Sequence, residues 1–100
     1  MDSLLQFGFD WDDANRDKCV AHGMAIEEIE SVFAGFPLVG PDPFPEEIET
    51  RMRAFGRTAI GRPAFVVFTL RLVGQITFIR PISARYMHDK EVQRYERTET

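Results

Sequence analysis

One hundred residues, 44% apolar and 28% charged, are the size and composition of one globular domain, taken as residues 1–100, with one core. No apolar run approaches the ~20 residues a helix needs to cross a bilayer, and the N-terminal MDSLLQFGFDWDD lacks the basic and apolar regions of a signal peptide. Cys19 is the only cysteine, which excludes an internal disulfide and fits a reducing cytoplasm, and the net charge is −4.

That net charge hides an asymmetry. Residues 1–50 carry twelve acids against Arg16 and Lys18, a net of −10, and residues 51–100 carry ten bases against four acids, a net of +6. Bases gathered in one half can present a cationic face to an anionic partner despite a low pI, or can neutralise the acidic half.

In chain order, Phe7, Phe9 and Trp11 alternate with Gly8 and Asp10, which predicts a short strand with one buried face. Asp12 or Asp13 then caps a helix running through Asn15, Lys18 and His22 to Gly23, a residue suited to a left-handed stop. A second helix spans Ala25 to about Ala34, with Ile26, Ile29 and Phe33 as its apolar stripe. The proline-rich GFPLVGPDPFPEE reads as a turn-rich connection with a short edge strand around Leu38–Val39.

Three central strands follow. In the first, Arg51, Arg53, Phe55 and Arg57 share one face and Met52 and Ala54 the other. Three guanidiniums cannot be buried without partners, so that face is solvent or a binding cleft. RTAIGRP turns into Ala64–Leu70, an unbroken apolar run expected to be buried on both faces, and LVGQ turns out of it. In the third strand Ile76, Phe78 and Ile82 oppose Thr77, Ile79 and Ser83, and Pro81 demands a bulge or an edge. A last helix is predicted from about Tyr86 to Arg97, with Met87, His88, Val92 and Tyr95 near one face and Thr98–Thr100 frayed beyond it. The order predicts an α+β domain: a small antiparallel sheet of about four strands with the helices packed on one side.

No metal-ligand pattern, phosphate loop or nucleophile elbow is present, so neither cofactor nor metal is expected. Cys19 reads as a small buried hydrophobe. What remains for chemistry is a set of arginines, two histidines, Lys18 and two tyrosines. Cleaving an RNA phosphodiester takes a base for the 2′-OH, charge stabilisation on the phosphorane and an acid for the leaving oxygen. Arginine meets the second need, and histidine, lysine or tyrosine the others. His22 at a helix end and His88 beside Val92 have structural readings too.

Three stretches together resemble one family. Trp11-Asp12, Asn15, Lys18 and His22-Gly23, followed by IEEIESVF, are similar to the N-terminal signature of the BrnT toxins. Phe55-Gly56-Arg57 with the GRP turn resembles that family's hairpin, and Ile82-Ser83-Ala84-Arg85 with KEVQRYE its closing strand and helix. The resemblance implies a RelE-like fold and a ribonuclease toxin of a type II toxin–antitoxin system. Such a toxin blocks translation by cleaving RNA, needs no metal, and is neutralised by a DNA-binding, BrnA-like antitoxin in a hetero-oligomer. It also implies Arg57 and Arg85 for phosphate binding and transition-state charge, and Lys18 or His22 as acid–base groups. Arg51, Arg53, Phe55, Arg80, His88 and Tyr95 complete the expected RNA surface. Two other readings stay open. One is a non-catalytic binding module of such a complex; the other is a small nucleic-acid binder in which Phe55 stacks bases beside Arg51 and Arg53.

Overall fold

The computed structural model describes residues 8–42 and 50–99. Phe7 of the first strand, residues 43–49 of the proline-rich connection and Thr100 lie outside the described residues. The elements run β1 (Gly8–Phe9), α1 (Asp13–Val20), α2 (Ile26–Ala34), β2 (Leu38–Pro41), β3 (Met52–Arg57), β4 (Pro63–Val73), β5 (Ile76–Tyr86) and α3 (Asp89–Glu99).

The fold is α+β, but the sheet has five strands rather than four, in the order β1-β5-β4-β3-β2. It is also mixed, because β1 pairs parallel to β5 while the other pairs are antiparallel. A two-residue strand separated from its partner by two helices and three strands leaves no local sign of its direction. The expected edge strand at Leu38–Val39 is present as β2.

The helices do not share one side of the sheet. Alternation along β4 sorts them: Ala64, Val66 and Phe68 pack with Cys19 of α1 and with Ile29, Val32 and Phe33 of α2. Phe65 and Val67 point the other way and pack with Met87, Val92 and Tyr95, the last two on α3. The central strand is therefore buried on both faces from Ala64 to Thr69, and Leu70 is exposed. Gly56 lets α2 come close: a Cβ there would lie 3.0 Å from Pro37 Cβ and 3.1 Å from Val32 Cγ1.

The N-terminal turn is held by polar bonds. Asp12 accepts from the Asn15 backbone N–H at 3.1 Å and its own N–H donates to Asn15 Oδ1 at 2.7 Å, a reciprocal cap for α1. The buried Asn15 amide also donates to the carbonyls of Asp10 (2.9 Å) and Pro81 (2.8 Å). Pro81 thus stands inside the sheet, between β1 and β4. The register slips there: Val67 faces Ser83 but Phe68 faces Pro81, leaving Ile82 as the extra residue of a bulge. Asn15 takes up a carbonyl at that irregularity, which couples α1 to β5.

Two helices differ from expectation in their bounds. α1 ends at Val20, so His22 sits in the turn that closes at Gly23, whose φ of +94° is left-handed as expected. α3 starts at Asp89, since Tyr86 still belongs to β5, and Thr98 lies inside it, its hydroxyl donating to the Arg94 carbonyl. The β4–β5 hairpin is longer than expected and turns at Gly74-Gln75. No helix among the described residues is long and apolar enough to cross a membrane.

Candidate functional site

The site builds on β3, β4 and β5, on the face turned toward α3. Period-2 alternation puts Arg53, Phe55 and Arg57 there from β3, Phe65 from β4, and Arg85 opposite Phe65 in the β4–β5 register. The Phe55 and Phe65 rings meet at a tilt of 41°, with centroids 5.0 Å apart. The Arg53 guanidinium lies 5.2 and 5.0 Å from their ring centres, and Arg85 lies 4.8 Å from that of Phe65. Arg57 sits 5.6 Å from the ring centre of Tyr95. Aromatic faces favour cations and limit their rotamers, so these arginines are held in place before any ligand arrives.

Each of the two predicted phosphate-binding arginines grips a carboxylate of α3. Arg85 donates to Glu91 through two bonds of 2.7 and 2.8 Å. Arg57 donates to Glu99 through bonds of 3.0 and 2.9 Å, has Glu96 at 3.5 Å, and also donates to the Gly61 carbonyl at 2.9 Å. The Arg85 pair holds Glu91 down to about 2, helped by the His88 N–H, and Arg57 holds Glu99 below the usual carboxylate range. Both arginines are shifted upward by the same contacts. Between β3 and α3 lies a pocket of about 180 Å³ lined by Arg53, Phe55, Glu91, Arg94 and Tyr95. The Arg53 Nε is buried and has no hydrogen-bond partner among the described residues.

The other expected residues fall into three places. His88 and Tyr95 share this face: His88 is exposed, with Nδ1 3.8 Å from Glu91, and Tyr95 is raised by burial and by Glu99. Lys18 and His22 are exposed on the α1 side of the sheet, across from Arg57 and Arg85, so the expected catalytic four do not converge in this conformation. Arg80 is 13% exposed and bonds Asp12 at 3.0 Å and Asp10 at 3.4 Å, which ties β5 to the cap of α1. Arg51 stands just before β3, its carbonyl accepting from the Asp42 N–H.

Sequence reasoning missed Glu91, Glu99, Phe65 and Arg94. A signal existed: Glu91, Tyr95 and Glu99 recur at i, i+4, i+8, one stripe of a helix. A second cluster also went unseen. Tyr86 donates to both Glu28 oxygens (2.8 and 2.7 Å), while Arg62 covers its ring at 3.4 Å from the centre. Cys19 is buried, which pushes its thiol up to about 11 and leaves it a packing residue. Among the described residues, no three His, Cys, Asp or Glu side chains are grouped to hold a metal ion.

A family model described as the ribonuclease toxin, BrnT, of type II toxin–antitoxin systems matches residues 11–91. The matched span contains Arg53, Phe55, Arg57, Phe65, Arg85 and Glu91 and stops short of Tyr95 and Glu99. A search of curated proteins finds no match.

Proposed function

Because this chain belongs to the BrnT family of ribonuclease toxins of type II toxin–antitoxin systems, we propose that it is an endoribonuclease whose working surface is the arginine and aromatic face beneath α3. The observation that carries this reading is the double bidentate grip of Arg57 and Arg85 on carboxylates. A guanidinium fork set for a carboxylate is equally set for the non-bridging oxygens of a phosphodiester. Arg85, beside His88, holds the scissile phosphate and stabilises the charge of the phosphorane, as a fixed cation over an aromatic ring does, and Arg57 holds a neighbouring phosphate of the same strand. Phe55 and Phe65 offer stacking planes for bases, with Arg53 and Arg94 beside them.

Acid–base work falls to the groups on the same side. His88 takes the 2′-OH proton and passes it to the leaving 5′-oxygen, serving as base and then acid, and Tyr95 orients Arg57. Lys18 and His22 serve as backbone contacts for RNA passing the α1 side. The chemistry needs no metal in this scheme, since side chains supply base, acid and charge. Location is cytoplasmic, and cleavage of RNA there inhibits translation. The family implies an antitoxin partner; we take it as BrnA-like and the α+β layering as RelE-like.

The test is incubation of the purified chain with end-labelled RNA, with and without a chelator, followed by analysis of fragment ends. Fragments ending in 2′,3′-cyclic phosphate, formed equally with chelator, are expected. Intact RNA at high protein concentration, from well-folded protein, overturns the reading and leaves a binding module.

A further inference from the structure

We propose that α3 is a displaceable cover whose Glu91 and Glu99 occupy the seats in which Arg85 and Arg57 take two phosphates of a single-stranded polynucleotide. The proposal rests on the reading of those arginines as phosphate sites and adds how the site is kept closed.

Four observations carry it. First, the acids of residues 51–100 are Asp89, Glu91, Glu96 and Glu99, and all fall on α3. The basic half therefore neutralises its two central arginines from within itself, while Arg71 and Arg80 turn to Asp10 of the acidic half. Second, Glu91 and Glu99 are two helical turns apart and each meets a guanidinium through both oxygens. One rigid helix thus presents two anions at a fixed separation, which is also what a polynucleotide backbone presents. Third, α3 is lightly held. None of its residues is buried, and its apolar purchase on the sheet is Val92 and Tyr95, both half-buried. Fourth, the surface it covers is unfinished as a core: the Arg53 Nε is buried without a partner beside a pocket of about 180 Å³. A buried donor left unpaired is costly to a structure whose only business there is packing.

Closure by ion pairs in competition with a ligand has a calculable effect. If the covered state holds about nine-tenths of the molecules, apparent affinity for the ligand falls about tenfold. Removing the two carboxylate charges while keeping shape and hydrogen-bonding capacity should return that factor.

The experiment uses the full chain and a fluorescent 2′-O-methyl RNA hexamer, which lacks the 2′-OH nucleophile and so reports binding alone. Glu91→Gln/Glu99→Gln is expected to bind about tenfold more tightly than the native chain. Glu99→Gln alone, which leaves the Glu91–His88 contact at the start of α3 untouched, is expected to show part of that gain. Asp89→Asn, which removes an α3 charge that pairs with neither arginine, should bind as the native chain does. Hydrogen exchange at residues 92–99 of the native chain should speed up when the hexamer is bound. Equal affinity for the native and doubly substituted chains overturns the proposal, as does equal tightening by Asp89→Asn, or α3 amides that stay as protected in the complex as out of it. Tighter binding by the double variant without cleavage of ordinary RNA by either chain removes the nuclease and keeps the cover. Cleavage by both chains with identical affinity does the reverse.

Discussion

Arg85 and Glu91 are six residues apart, one at the end of β5 and the other in the first turn of α3, and they meet through parallel bonds of 2.7 and 2.8 Å. The same Glu91 Oε1 accepts from the His88 N–H at 2.9 Å, so one carboxylate caps the helix and seals the arginine. The end of the sheet, the start of the cover and the candidate acid–base histidine are thereby joined at a single side chain.

Arg85→Ala is expected to lower RNA cleavage by about 10²–10³, the cost of deleting one preorganised charge-stabilising donor, and Arg57→Ala to weaken RNA binding by about tenfold, the cost of one charge-assisted phosphate contact. Both side chains are about a third exposed, at 35% and 29%, so water screens their ion pairs and the pairs add little to stability. Cleavage rates measured beside thermal melts separate the two effects. A loss of activity that tracks a large drop in melting temperature would count against the assigned role.

The depressed Glu91 implies a pH dependence of defined sign. A carboxylate held lower in the folded chain than its usual 4.5 stabilises at pH above that value, and the contribution fades as pH falls toward about 2. Melting temperatures of the native chain and Glu91→Gln should therefore differ most near neutrality and converge between about pH 4.5 and 2. Curves that stay parallel through that range would show that the pair adds no charge-dependent stability.

Asn15→Ala removes half of a reciprocal cap and leaves the part-buried carbonyl of Asp10 and the buried carbonyl of Pro81 without their donor. The expected loss is about 2–4 kcal/mol, from a lost cap together with unsatisfied buried acceptors. Denaturant titration measures it. Asn15→Asp, which restores the cap acceptor but not the amide donor, should recover less than half.

Gly56→Ala puts a methyl 3.0–3.1 Å from Pro37 and Val32, and overpacking of this kind costs about 1–3 kcal/mol. Because Gly56 faces α2 and Arg57 faces α3, the variant should lose stability in a denaturant titration while its affinity for an uncleavable RNA stays unchanged.

Local chemistry was legible in the sequence wherever it acts over a few residues. The β4 run of apolar residues announced a doubly buried strand, Gly23 announced its left-handed turn, Pro81 announced an irregular strand, and the short carboxylates at Asp12 and Asp13 announced a cap. The parity of Arg53, Phe55 and Arg57 was readable too, since a strand turns alternate side chains to opposite faces whatever lies above them. Resemblance in three separated stretches pointed to the family that the match over residues 11–91 then showed.

The tertiary structure decided what sits on each face. A polar-looking arginine face invites solvent by sequence alone, yet α3 lies on it, because Val92 and Tyr95 need an apolar floor and Phe55, Phe65 and Val67 supply one. The direction of β1, the distance between Lys18 and Arg57, and the pairing of Glu99 with an arginine 42 residues away depend on how long-range segments pack. No periodicity encodes them. The alternation along three strands determined which arginines point together, and the docking of one amphipathic helix determined that they meet carboxylates instead of water.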